Sequence, residues 1–216
     1  MKLTTSQKLF LMGALLILID QVSKILVKTQ MTIGEGFSVL GDWFQIYFIE
    51  NKGMAFGMAF GGAVGKFLLT LFRIVLVGFL FWYVRRLLQR KAPMGVLVGV
   101  VLILVGALGN IIDCLFYGVL FGESTYQQVA QFLPEGGGYA PMFFGKVVDM
   151  LYFPLIDTTW PEWVPFVGGK ELVFFRPVFN FADSCITVGA FYLILFQWRF
   201  FSEEEKSMKK QAADNK

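Results

Sequence analysis

Apolar residues dominate four stretches of the chain, at about 9–27, 67–84, 95–112 and 178–201. Each is close to the ~20 residues that a helix needs to cross a bilayer. Between the first two, Phe44-Gln45-Ile46-Tyr47-Phe48-Ile49 is rich in aromatic and β-branched residues and predicts a strand. Gly34, Gly36 and Gly41 punctuate the residues before it. The pattern predicts an all-α membrane protein: four transmembrane helices, a small sheet on one side and a long connection between the third and fourth spans. That connection contains Gly136-Gly137-Gly138, several prolines and aromatics such as Trp160, Trp163 and Phe174, which suggests a partly ordered loop able to cover a site.

Basic residues orient the spans. The link between the second and third reads Arg85-Arg86-Leu87-Leu88-Gln89-Arg90-Lys91, which predicts a cytoplasmic position. Both termini then fall on the same side, in agreement with Lys2, Lys8, Arg199 and Lys206. The connections 28–66 and 113–177 are placed outside, on the periplasmic side of a bacterial cell. Residues 1–201 read as one membrane-embedded domain and 202–216 as a charged cytoplasmic tail. The first apolar stretch lacks a small-residue cleavage site after a short apolar core, so it reads as a retained helix.

Composition supports the membrane class. Hydrophobic residues make up 56% and charged residues 16%, against roughly a quarter charged in soluble domains. The net charge of +3 needs no nucleic acid partner to explain it. Histidine is absent, which excludes a Ser-His-Asp triad, a Cys-His pair and a His-ligated metal. Cys114 and Cys185 form no CxxC motif and read as small buried residues rather than a disulfide.

Polar groups recur where the spans meet the outer side. The first span carries Asp20-Gln21-Val22-Ser23-Lys24, with Asp20 and Lys24 at i, i+4, a spacing that suits a structural ion pair. After the strand comes Asn51-Lys52-Gly53-Met54-Ala55-Phe56-Gly57. The third span ends Gly106-Ala107-Leu108-Gly109-Asn110-Ile111-Ile112-Asp113, where small residues allow close helix packing. Asp149 follows Val147-Val148 on an apolar, strand-like piece. Asn180 and Asp183 open the fourth span, three apart, and either of them could also be a helix N-cap. With no histidine, the catalytic device at hand is a pair of carboxylates. Two at close range do not both ionise easily, so one serves as general base on a water while its protonated partner polarises a carbonyl.

In this order, these five motifs resemble the lipoprotein signal peptidase (signal peptidase II) family across all four apolar segments. The resemblance implies an aspartyl endopeptidase of the bacterial inner membrane. Such an enzyme cuts signal peptides from prolipoproteins immediately before a diacylglyceryl-modified cysteine, and works as a monomer without metal or organic cofactor. It implies four helices, a periplasmic β-cradle and a periplasmic helix or lid. It matches the catalytic pair to Asp149 and Asp183. The supporting residues match Asp20, Lys24, Asn51, Gly53, Asn110, Asp113, Asn180 and Ala182. The expected partners are the diacylglyceryl prolipoprotein and membrane lipid. Two departures stand out. Cys114 occupies the position where the family usually has arginine, and the stretches 114–146 and 150–178 are longer than usual. Asp157 lies in the second stretch but lacks the motif that surrounds Asp149. The rival readings are a four-span transporter with relay carboxylates, or a scaffold. A relay should cross the membrane, whereas these acids gather at one side.

Overall fold

The computed structural model describes residues 2–51, 62–154, 156–174 and 177–202. Its contacts divide the chain into two compact units.

The first unit comprises the chain up to Ile19, Leu71–Ile111 and the chain from Ala182 onward. It holds most of helix α1 (Thr5–Gln30), α2 (Gly62–Gln89), α3 (Met94–Ile112) and α5 (Phe181–Phe196). Helix α1 starts at a capping box. Gln7 N donates to Thr4 Oγ1 at 3.3 Å, and Thr4 N donates back to the Gln7 side chain at 2.9 Å. Each bond satisfies a backbone donor near the helix start. At the end of α2, Ala92 N reaches Leu87 O and Lys91 N reaches Leu88 O, with Lys91 in the left-handed region at φ 53°. This is a Schellman closure. Pro93 follows and turns the chain into α3 within a few residues.

The core of this unit is Leu9, Val84, Leu87, Val96, Leu97, Val100, Val101, Val105 and Leu193. Glycines let α3 and α5 approach closely. A Cβ on Gly189 would stand 2.8 Å from Gly99 O, and one on Gly106 would strike Ala182 O and lie 2.7 Å from Ile186 Cγ1. Gly106→Ala is therefore expected to force the two helices apart at a cost of ~1–3 kcal/mol. A lowered thermal midpoint in detergent checks this, and an unchanged midpoint would refute the tight contact.

The second unit comprises Asp20–Thr70 and Ile112–Phe181. Its antiparallel sheet has the order β1 (Gly36–Leu40), β2 (Phe44–Asn51), β3 (Val147–Tyr152), β6 (Val178–Phe179). Ile49 lies opposite Asp149 and Asn51 opposite Val147, while Leu151 pairs with Phe179. Strands β4 (Ile156–Thr159) and β5 (Glu171–Phe174) form a separate hairpin. Phe48, Tyr117, Phe121, Val148 and Met150 form the core, with Val27, Met31 and Ala130.

The expected strand at 44–49 is β2. Among the described residues, three helices are long and apolar enough to cross a membrane: Thr5–Gln30, Gly62–Gln89 and Met94–Leu120. Each outruns the stretch read from hydropathy. Beyond α3 the chain stays helical through a π-turn at Asp113–Tyr117 and a last turn, α4 (Gly118–Leu120). The fourth apolar stretch differs from expectation. Val178–Phe179 pairs as β6, and α5 is 16 residues long. Residues 198–202 are helical again. The long connection is partly ordered as expected: it carries β3, β4 and β5, while 121–146 has no regular element beyond the Phe121–Phe132 bridge.

Candidate active site

In the second unit the motif residues form two neighbouring polar groups. The first centres on Lys24, whose side chain is fully buried. Its ammonium lies 3.0 Å from Asp20 Oδ2 and 2.8 Å from Asp113 Oδ2. Asp20 and Lys24 meet because they are one turn apart on α1, and Asp113 comes from the π-turn after α3. Gln21 Nε2 donates to both carboxylates at 3.0 Å, and Tyr117 OH donates to Gln21 Oε1 at 3.2 Å. Val148 N points at Asp113 Oδ2 across 3.4 Å. The buried cluster thus reaches the strand residue that precedes Asp149.

The second group surrounds Asp149, which is 2% exposed. Asn51 Nδ2 donates to its Oδ2 at 3.2 Å and Asn180 Nδ2 to its Oδ1 at 2.7 Å. Two strands supply these donors. Asn51 ends β2, diagonal to Asp149 in the register, and Asn180 follows β6 directly. Each carboxylate oxygen therefore has its own amide donor, which fixes the plane of the group.

The remaining motif residues lie in the first unit. Asn110 Nδ2 donates to Asp183 Oδ1 at 2.7 Å. Asp183 sits in the first turn of α5, and Ala182, buried beside it, presents its carbonyl to Gly106. Asn110 and Asp113 thus serve different acids or cations despite their spacing of three. Gly53 lies outside the described residues. Asp157 is in β4, paired in register with Val173. Both cysteines are buried and not in a disulfide, Cys114 within the π-turn. That position therefore carries no cation here.

A third cluster was not anticipated from the sequence. Lys28, one turn beyond Lys24, is fully buried and ion-paired with Glu50, the residue before Asn51. Glu50 also takes Lys146 at 2.8 Å and accepts from Ser124 Oγ at 3.0 Å. Tyr139 completes the enclosure, its ring 4.9 Å from Lys28 Nζ and 5.0 Å from Lys146 Nζ. Successive strand residues face opposite ways, so Glu50 is held on one face of β2 while Asn51 reaches Asp149 on the other. The i, i+4 spacing of Lys24 and Lys28 was the one available signal.

Burial alone would push the Glu50 carboxyl up. The Lys28 charge and the hydrogen bonds from Lys146 and Lys28 outweigh it and hold the group below its ordinary 4.5. A depressed carboxyl contributes stability above its unfolded pKa and loses it as pH falls through the folded one. Thermal stability should therefore drop as pH is lowered below about 4.5. Glu50→Gln should flatten that fall, and an identical profile in the variant would count against the ion cluster.

Comparison with known proteins places the chain. Residues 12–199 match the family model described as signal peptidase (SPase) II. The chain belongs to the signal peptidase II family. It is 51% identical over 182 residues to a lipoprotein signal peptidase of Porphyromonas gingivalis, a match covering 84% of this chain and 78% of the relative. It is 36% identical over 191 residues to a lipoprotein signal peptidase of Amoebophilus asiaticus, covering 87% and 76% respectively. Two solved bacterial membrane enzyme structures share the fold. One has a TM-score of 0.55 at 22% identity, covering 91% of this chain and 90% of the other. The second has a TM-score of 0.54 at 24% identity, covering 87% and 90%. Signal peptidase II membership makes the chain a membrane peptidase, and its polar motifs are the candidate machinery.

Proposed function

We propose that this signal peptidase II is an aspartyl endopeptidase that removes the signal peptide from diacylglyceryl-modified prolipoproteins, cutting before the lipid-bearing cysteine. Asp149 and Asp183 are the catalytic pair. One carboxylate takes a proton from a water, which attacks the scissile carbonyl. The other, protonated, polarises that carbonyl, and a proton passes to the leaving amine. No cofactor enters. The observation that carries this reading is the treatment of Asp149: a buried acid gripped on both oxygens by asparagine amides. An acid whose only task was to neutralise a cation would not need two amides to set its plane.

Asn51, Asn110 and Asn180 orient the acids. Asp20, Lys24 and Asp113 hold the frame beneath β3, and Gly53 and Ala182 belong to the substrate path. Residues 1–201 form one domain that works as a monomer in the bacterial inner membrane. Helix α5 and the helical residues after it form a fourth span. Both termini are cytoplasmic, and the site opens at the periplasmic face.

The test is cleavage of a purified diacylglyceryl prolipoprotein by the purified enzyme, read as a gel shift beside the same precursor without lipid. A shift of the lipidated precursor alone is expected. No shift with folded enzyme, or equal cleavage of the unlipidated precursor, would overturn the substrate assignment.

A further inference from the structure

The side of α2 that turns away from the bundle carries a second polar feature. Leu80, Tyr83, Val84 and Leu87 face the core of the first unit. On the opposite side Phe72, Val75, Phe79 and Phe81 are more than half exposed, as suits a surface that meets acyl chains. That same outward stripe continues, at helical spacing of three and four, into a groove of about 600 Å³. Gly78, Phe81 and Trp82 line one end of the groove and Arg85, Arg86 and Arg90 the other. The Arg86 guanidinium stacks over the Trp82 ring, 5.4 Å from its centre, which holds both side chains along the helix. At Gly78 an added Cβ would meet nothing within 4 Å, so the apolar end is open.

We propose that this groove is a binding site for one anionic phospholipid. Its phosphate sits among Arg85, Arg86 and Arg90, its glycerol backbone lies at Trp82, and one acyl chain runs past Gly78 and Phe81. The order of the chemistry along the stripe matches the order along a lipid: open apolar surface, an amphipathic ring, then cations. Guanidinium forks suit phosphate oxygens. Orientation of the helix in the membrane requires only that the cations lie at this end. It does not require them on the lipid-facing stripe in line with a tryptophan and a glycine. Because the stripe is opposite the core, the molecule that covers it in a bilayer is lipid, and three arginines select for negative charge. The site shares no residue with the aspartate groups and does not rest on their assignment.

Native mass spectrometry of the full chain tests this. The protein would be released from mixed micelles of phosphatidylglycerol and phosphatidylcholine with matched acyl chains. One phosphatidylglycerol should be retained in preference to phosphatidylcholine, and each arginine-to-glutamine change should weaken retention by roughly fivefold. The triple variant R85Q/R86Q/R90Q should show no preference. Its thermal midpoint in neutral detergent and its prolipoprotein cleavage should match wild type, which separates loss of the site from loss of the fold. If the triple variant does not fold, the three single variants carry the test. Equal retention of both lipids by wild type, or undiminished preference in the folded variants, would overturn the proposal. So would displacement of the lipid by millimolar inorganic phosphate, which would show a bare anion site. An arginine-dependent dimer in place of a lipid adduct would assign the face to a second copy of the chain.

Discussion

Asp183→Asn leaves the protein folded and lowers turnover by at least the ~10²–10⁴ that general acid–base catalysis contributes. The change is nearly isosteric, and the amide oxygen can still accept the hydrogen bond that Asn110 Nδ2 makes to Asp183 at 2.7 Å. What is lost is the ability to take and return a proton. Asp149→Asn should be equally inactive but less innocuous. Asp149 accepts from Asn51 on one oxygen and from Asn180 on the other. An amide at 149 accepts on one oxygen only and turns its NH₂ toward the other donor. One of the asparagines must then flip or lose its partner, at a cost of ~1–3 kcal/mol. The expected signature is a pair of inactive variants that still bind lipidated precursor, with Asp149→Asn melting lower than Asp183→Asn. Wild-type-like turnover in either purified variant would remove that residue from the catalytic pair.

Lys24→Met is the second large effect, and it falls on stability. Lys24 is the cation between Asp20 and Asp113, and all three are buried. Methionine fills a similar volume but leaves two carboxylates close together in a place water does not reach. Removing one partner of a buried ion pair typically costs ~3–5 kcal/mol, because the remaining charge stays desolvated. Turnover should fall as well, since Asp113 Oδ2 faces Val148 N, next to Asp149. Adding Asp113→Asn to Lys24→Met should recover part of the stability by removing one of the stranded charges. Chemical unfolding in detergent reads both steps. A single variant as stable as wild type would mean that the cluster is solvated or replaceable.

The aspartates and asparagines were legible in the sequence because each stands in a short local pattern, and so was the strand at 44–49. What escaped was set by pairing over distance. Val178 and Phe179 are apolar enough to begin a membrane helix, yet they pair with Tyr152 and Leu151 as a strand. Hydropathy cannot separate those outcomes for two residues. Asp113 closes the apolar stretch in the sequence, yet the helix continues past it through a π-turn of the kind often found at functional sites, and its ion pair with Lys24 joins residues 89 positions apart. Glu50 looks like an ordinary strand residue. Its partners lie 22, 74 and 96 positions away, and the i, i+4 spacing of Lys28 from Lys24 is a signal too weak to mark a lysine that will be buried.

That last cluster bears on chimeras. The segment from Asp113 to Lys146 is an attractive piece to shorten or to exchange with a relative's. Lys146 and Ser124 close on Glu50 from inside that segment, while Lys28 reaches Glu50 from α1. An exchange that discards Lys146 and Ser124 leaves Glu50 with Lys28 alone, in a pocket built for more. The transplantable unit is therefore larger than the loop. It has to carry Lys28, Glu50, Ser124 and Lys146 as a set, or give up all four.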